Sequence, residues 1–336
     1  MPPLTHAPAM EHLMGHPPTL QSPDHTAAAG SDLPHATWPA VSQLLAARGA
    51  RGASAWLKTG VRQLRAQPHR QPLLQALRQH PAWARLFARD PRYFHCASSH
   101  FIDRRHGMGQ RITAMAADLH AAAAALGPAL AERIGSGQPL RLWSLNDDVH
   151  LQLGLNDCSY HEGLWALSLR DNAGRRLYYV SLSFRDGQAV LVPTLQGPAG
   201  GEDDARTVIR TLTKQADGLR PQALLLAALR AACTAWRVQH LAGIAPEHHV
   251  KGRWNLRKNR LRFDYPGFWQ EQGGHPAADG HWTLPVVLAS RAPEDAPSNK
   301  RAMYRRRQAL LDAMAADVQR ALSGASAPSE ALSLAA

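Results

Sequence analysis

The sequence predicts an α+β fold, an antiparallel sheet flanked by helices and preceded by a helical N-terminal region. Three observations predict it. Between Trp38 and Ile134 apolar residues recur every three or four positions, the spacing of one buried helix face. After Gly135-Ser-Gly137 the period drops to two, as in Val149, Leu151, Leu153 and Leu155, the spacing of a half-buried strand. Helical spacing then returns at Asp203, between two short apolar runs, Ala189–Leu195 and Leu241–Ile244.

Residues 1–37 are rich in Pro, His, Ala, Thr and Ser, with Pro2-Pro3, His16-Pro17-Pro18 and Ser22-Pro23. Such a stretch buries too little to offset its ordering entropy and is expected to be a disordered tail. In the helical region, 38–134, Val41, Leu44 and Leu45 form one face, and Trp56, Leu57, Val61 and Leu64 another. Pro68 and Pro72 interrupt; Leu73, Leu74, Leu77, Trp83, Leu86 and Phe87 resume. Tyr93 to His106 reads as a connection. Gln110 to Leu126 is a helix, punctuated by Gly127-Pro128, with a short turn to Ile134.

The sheet core with its closing helix spans 135–322. Its first strands are Leu140–Ser144, Val149–Leu155 and Leu164–Leu169. Asp171-Asn-Ala-Gly174 turns into Arg176–Phe184, and Asp186-Gly187 into Ala189–Leu195, so short connections predict an antiparallel meander. Helix 203–216 carries Glu202, Asp203 and Asp204 where a helix start favours negative charge. Pro221 sits in the first turn of the next helix, with Leu224, Leu225, Leu229, Ala232 and Trp236 as its apolar face. Strands follow at Leu241–Ile244, Leu261–Phe263 and Trp282–Leu288. A last helix, Asn299–Leu322, precedes a second disordered tail, 323–336.

The 336 residues carry a formal net charge of +12, which favours acidic partners. Cys96, Cys158 and Cys233 are far apart with no zinc-binding spacing, so no metal site is expected and a reducing compartment is. No run was expected to approach the ~20 apolar residues that span a bilayer, and no signal peptide is expected. The expected location is cytoplasmic, with contact to the inner membrane face left open. No helix-turn-helix, zinc-finger or RNA-recognition signature occurs, which disfavours sequence-specific nucleic-acid binding.

Several motifs occur in a fixed order: His161-Glu-Gly163, Leu195-Gln-Gly-Pro198, Thr213-Lys214 with Gly218-Leu-Arg-Pro221, Asp264 with Phe268-Trp269, and Lys300-Arg-Ala-Met-Tyr-Arg-Arg-Arg307. The set resembles the VirK/YbjX family of bacterial proteins, domain of unknown function 535, over roughly residues 70–322. The resemblance implies an association with virulence, envelope integrity and resistance to cationic antimicrobial peptides. It implies no catalytic residues. Ala245-Pro246 stands where a Val-Ser-like step is commoner in relatives.

Five constellations carry the chemistry. The loop Gln196–Gly201 follows a strand, and glycines let backbone N–H groups approach a phosphate, yet neither GxxxxGK[ST] nor GxGxxG is present. Arg220-Pro221, a long helix and a strand resemble the coenzyme-A-binding part of GNAT-type acyltransferases, although Gln222-Ala-Leu replaces the usual glycines. Gln196, Gly197, Arg220 and Gln222 are therefore the cofactor-binding candidates, for an acyl-coenzyme A. Glu162 and His249 are the acid–base candidates; His161, His248 and His249 could alternatively ligate a metal or simply pack. Asp264 and Trp269 are pocket candidates, the alternative for the aromatics there being core. Lys300, Arg301 and Arg305 crowd a helix start, where cations oppose the macrodipole, and so are candidates for an anion: a carboxylate of the fold, a phosphate or a lipid head group. Two functions follow. One is an acyl- or aminoacyl-transferase acting on an envelope precursor or a protein. The other is a non-catalytic basic adaptor at the anionic inner membrane face or on an acidic partner.

Overall fold

The computed structural model describes residues 36–185, 188–198, 202–252, 263–289, 294 and 297–326. Among the described residues five α-helices come first: α1 (Val41–Ala47), α2 (Ala53–Ala66), α3 (Gln71–Gln79), α4 (Pro81–Arg89) and α5 (Arg92–Ser99). Helix α5 lies where a connection was expected. Its Tyr93, Phe94, Cys96 and Ala97 are buried, so tertiary packing draws an aromatic, His-rich segment into a helix. Helix α6 (Met108–Gly135) follows, broken at Gly127 (φ 71°, ψ 167°) just before Pro128, where the punctuation was read.

By length and composition α6 could cross a membrane, contrary to the expectation that no stretch approached this. In this fold it is a core helix: Ile112, Met115, Leu119 and Leu126 are buried, and it packs against β4 and helices α3, α4 and α5.

Eight strands form one sheet: β1 (Leu140–Ser144), β2 (Val149–Leu155), β3 (Trp165–Asp171), β4 (Arg176–Arg185), β5 (Ala189–Gln196), β6 (His240–Gly243), β7 (His275–Pro276) and β8 (Trp282–Leu284). Their order is β1-β2-β3-β4-β5-β6-β8-β7. β1 to β5 form the expected antiparallel meander, and β6 pairs parallel to β5. The parallel step needs a long crossover, which α7 (Glu202–Gln215) and α8 (Pro221–Ala235) supply. β8 stops at Leu284, short of the expected Leu288, because Pro285 has no N–H for the ladder. Leu261 and Arg262 of the expected strand at 261–263 and the Asp186-Gly187 hairpin turn lie outside the described residues, and Phe263 is a bend. Helix α9 (Tyr265–Glu271) was not foreseen, and α10 (Arg301–Ser326) runs past the expected end at Leu322.

Strand β5 carries the feature that shapes the site. Ser181 pairs with Thr194 but Ser183 with Leu191, so Val192-Pro193 together oppose one residue of β4, a bulge where a proline is tolerated. Pairing with β6 ends at Val192, and beyond the bulge the two strands part. The Tyr265 hydroxyl fills the opening, accepting from the Leu195 N–H (3.2 Å) and lying 3.1 Å from Thr194 Oγ1. Trp269 closes the other side. Its Nε1 donates to the Ile244 carbonyl (3.0 Å), and its indole lies on Gly243, where a Cβ would come within 2.5 Å of the ring.

β4 is buried along both faces. Val180, Leu182 and Phe184 share one face, and Tyr179, Ser181 and Ser183 the other, by strand alternation. Helix α6 contributes one buried acid, Asp118, whose Oδ1 accepts from Trp165 Nε1 (2.8 Å) and the Phe184 N–H (2.9 Å). Its Oδ2 is buried with no hydrogen-bond partner among the described residues. Burial outweighs those hydrogen bonds and pushes this carboxyl from near 3.8 up to about 7.

A group with a raised folded pKa contributes stability that is present below the unfolded value and lost as pH rises through the folded one. Asp118 therefore makes the protein lose stability, on the order of 4 kcal/mol, between about pH 4 and about pH 7. Asp118→Asn keeps the Oδ1 acceptor and removes the titration. Urea unfolding of both proteins across that window should give a wild-type curve that falls with pH relative to the variant.

Candidate functional site

The motif His161-Glu-Gly163 lies in the connection between β2 and β3, where Tyr160–Glu162 form one 3-10 turn. Asn156, fully buried, builds that turn: its Oδ1 accepts from the Cys158 and Ser159 N–H groups, and its Nδ2 donates to the Ser159 and Gly163 carbonyls. Gly163 takes φ 106°, and a Cβ there would lie 2.9 Å from the Leu182 carbonyl oxygen, so the position accepts only glycine. His161 Nδ1 donates to the His100 carbonyl (2.7 Å), and the Ile102 N–H donates to the His161 carbonyl (2.7 Å). The histidine thus fastens the turn to the α5–α6 connection, and the glutamate between these anchors points inward.

Glu162 and His249 meet. His249 Nε2 is 3.4 Å from Glu162 Oε1, both side chains being almost fully buried. His249 Nδ1 accepts from the Lys251 N–H (3.1 Å), which leaves the ring proton on Nε2, facing the carboxylate. The distance is long for a hydrogen bond, and the pair is an electrostatic contact. Lys251 Nζ lies 3.2 Å from the same Glu162 oxygen, on a side chain 44% exposed. Burial alone would raise the Glu162 pKa, but His249 and the Lys251 charge prevail and hold the carboxyl down at about 2.

Tyr179 of β4 completes the group. Its hydroxyl donates to Gln196 Oε1 (2.8 Å) and lies 3.5 Å from Glu162 Oε2. Burial first, then the Glu162 charge, pushes this phenol well above its ordinary value, so it is protonated at neutral pH. Gln196 is exposed at the end of β5, and the Arg176 guanidinium stacks on the Tyr179 ring at 5.0 Å. A buried charged floor thus lies beneath Lys251 and Gln196, at the end of the parallel pair.

A second buried carboxylate adjoins this one. Asp103 is bonded by Arg105 through Nε (3.1 Å to Oδ1 and 3.0 Å to Oδ2) and Nη2 (2.6 Å to Oδ2), and His281 Nε2 lies 3.3 Å from Oδ2. Burial opposes ionisation here too, but hydrogen bonds from His281 and Arg105 outweigh it and depress the pKa strongly. Asp103 and His249 form a backbone bridge, and the Arg104 N–H donates to the His248 carbonyl (2.9 Å). The turn after β6 therefore presents His249 to Glu162 and His248 to His281, whose rings lie 5.7 Å apart at 85°. Ile102, at the head of the Asp103 loop, takes φ 58°, a strained position for a β-branched residue.

The remaining candidates fall elsewhere. Gly197 packs on the Tyr178 ring beside Gln196, and residues 199–201 lie outside the described residues. Helix α7 directly follows that loop in the chain. Arg220 is the exposed N-cap of α8 and Gln222 is half-buried; among the described residues no hydrogen bond joins either to Gln196. Asp264, expected in a pocket, caps α9 by accepting from the Gly267 N–H (3.0 Å). Trp269, expected beside it, is fully buried core, because the parted strands need an aromatic filler.

The basic start of α10 is largely occupied by the fold itself. Arg306 pairs with Asp217 (2.9 Å), and Arg307 donates to the Asp217 carbonyl. Arg305 and Arg301 reach Glu294, at 3.8 Å and through its carbonyl at 3.3 Å, and Lys300 is exposed. The basic residues at 253–262 lie outside the described residues.

Sequence reasoning missed Tyr179, Lys251 and the Asp103 group. Tyr179 looks like one more aromatic in a strand, and Asp103 lies in a stretch read as connection. The one available signal was Asp103-Arg-Arg-His106, four polar groups beside the aromatic Phe101.

These features define an α+β protein whose sheet contains one parallel strand pair ending on a buried, ionised carboxylate cluster. The chain belongs to the family described as protein of unknown function, DUF535, which matches residues 50–320. It is 30% identical over 248 residues to an uncharacterised protein of Haemophilus influenzae, covering 74% of this chain and 83% of that one. It is 27% identical over 156 residues to the uncharacterised protein YbjX of Escherichia coli, covering 46% and 47% of the two chains. It is 27% identical over 180 residues to a Mannheimia haemolytica protein named Membrane protein LapB, covering 53% and 76%. The VirK/YbjX resemblance of the motifs is borne out. No solved structure matches.

The cluster carries two stability predictions. A depressed folded pKa contributes stability that is present above the unfolded value, near 4.5 for Glu162, and lost as pH falls through about 2. Glu162→Gln should cost on the order of 3 kcal/mol at neutral pH, and the difference from wild type should vanish at the acid end of that window, read by urea unfolding. Gly163→Ala should cost about 1–3 kcal/mol in the same assay, from its positive φ and its collision with the Leu182 carbonyl.

Proposed function

We propose that the chain is an acyl- or aminoacyl-transferase-like enzyme that modifies an amine of an envelope precursor or a protein. The observation that carries this reading is the state of Glu162: buried, ionised, and neutralised by an ammonium group that is half exposed. Such a carboxylate binds a cationic nitrogen. An acceptor amine that reaches it uncharged at the Gln196 end displaces Lys251 Nζ. That removes a charge holding the carboxyl pKa down, so burial raises it and Glu162 becomes a better proton acceptor. His249 is a positioning residue, its Nε2–H held toward the carboxylate by the Lys251 N–H on Nδ1.

The donor in this reading is an acyl-coenzyme A thioester. The neutral amine nitrogen attacks the thioester carbonyl, the carbon–sulfur bond breaks, Glu162 takes the proton lost by nitrogen, Tyr179 gives its own to the departing thiolate, and the Glu162 proton then returns to the Tyr179 oxygen 3.5 Å away. The topology supports it: an antiparallel meander, then a strand, helices and a parallel strand, the order expected of a GNAT-like core. Because Tyr265 fills the opening between β5 and β6, the acyl group approaches from the Gln196 end. The name of the Mannheimia relative favours a substrate at the envelope.

The test is release of free thiol from short- and long-chain acyl-coenzyme A, with a lysine-containing peptide or a polyamine as acceptor. Wild type should release thiol, and Glu162→Gln should reduce turnover by about a hundredfold or more. No thiol release by wild type together with no heat on titration with acyl-coenzyme A, or equal turnover in the variant, sinks the reading.

A further inference from the structure

Helix α2 is turned inside out relative to an ordinary surface helix. Its buried positions are Thr59, Gln63 and Ala66, two of them polar. Gln63 receives the Trp38 Nε1–H (2.5 Å) and Arg70 Nη2 (2.8 Å), so the polar face is occupied by specific internal bonds. The large apolar side chains face out: Trp56 is 53% exposed, Leu57 70%, Val61 41% and Leu64 69%. Leu57, Val61 and Leu64 stand at helical spacing on one stripe, with Trp56 beside it. Among the described residues, large apolar side chains this exposed occur elsewhere only at Val287 and Leu288. Leaving such a stripe in water is unfavourable, so a face built this way is a contact face.

Charge says what it contacts. From Leu33 to Arg89 the sequence has nine Lys and Arg and no Asp or Glu. Arg70, Arg85 and Arg89 are used internally, by Gln63, Glu132 and the Gly135 carbonyl. Lys58, Arg62 and Arg65 instead line, together with Leu57, Val61 and Met108, a shallow depression of about 400 Å³. No carboxylate among the described residues pairs with any of the three. Arg48 and Arg62 are close enough that burial and Arg48's charge both lower the Arg62 pKa. An apolar stripe with a tryptophan, flanked by cations and lacking any acid, matches the boundary of an anionic bilayer, where side chains enter the acyl region and guanidinium groups meet phosphates. An acidic protein groove would need a complementary apolar ridge, for which the depression, being shallow and open, provides no register.

We propose that α2 is a membrane-docking helix that lays Trp56, Leu57, Val61 and Leu64 into the surface of an anionic lipid bilayer, with Lys58, Arg62 and Arg65 on the phosphates. The site is separate from the Glu162 cluster and from the basic start of α10, and it stands whether or not the chain is a transferase.

The test is flotation of the full chain with vesicles of phosphatidylcholine alone and of phosphatidylcholine with phosphatidylglycerol. Wild type should float with the anionic vesicles, much less with the neutral ones, and less as salt is raised. Leu57→Ser with Leu64→Ser should lower the partition coefficient by about tenfold or more. Both side chains are exposed, so unfolding curves should be unchanged, which separates lost docking from lost folding. Arg62→Glu with Arg65→Glu should abolish the preference for anionic lipid, whereas Arg301→Glu with Arg305→Glu should leave it intact. Equal binding to both vesicle types, unchanged binding of the Leu57/Leu64 variant, or loss of binding only on substitution at α10 overturns the proposal. So does a wild-type dimer, seen by light scattering, that the Leu57/Leu64 variant dissolves, because the face then belongs to a second copy.

Discussion

The structure depends on keeping two carboxylates ionised inside protein. Water would solvate a carboxylate freely, and taking it out of water costs several kcal/mol unless cations and hydrogen-bond donors replace that hydration. Glu162 is served by His249 and Lys251, and Asp103 by Arg105 and His281. The partners come from segments distant in sequence: the α5–α6 connection, the β2–β3 turn, the turn after β6 and the turn before β8. Because neither carboxylate tolerates losing its partners, four connections are held in one arrangement. The strained Ile102 backbone persists where these bonds surround it.

The sheet supplies the frame that makes the convergence possible. The antiparallel strands β1 to β5 need only short turns, and the parallel step to β6 places the turn carrying His248 and His249 beside the end of β5. The bulge at Val192-Pro193 then parts β5 from β6. Parted strands expose backbone polar groups, and Tyr265 satisfies those of Leu195 while Trp269 caps Ile244. Aromatic density around 263–269, which could equally have lined a cavity, is the filler this geometry demands.

The molecule thus has two polar features of different character. Around Glu162 the carboxylate is buried and paired with a buried histidine and a half-exposed lysine. Around α2 the charges are exposed, of one sign, and set beside apolar side chains directed outward.

Sequence by itself determined the fold class, the meander, the two crossover helices and the family, because hydrophobic period, glycine and proline punctuation and motif order are local properties of the chain. It also singled out Glu162 and His249 together as acid–base candidates. Tertiary structure alone decided that they touch, that Tyr179 and Lys251 join them, and that Asp264 is a cap and Trp269 core. It alone decided which face of α2 points outward: the Trp56–Leu64 stripe reads as core by periodicity, and only the internal bonds of Gln63 turn it to the surface. The reason is physical: periodicity identifies a face, whereas the partner of a face is set by segments that the chain brings together from far away.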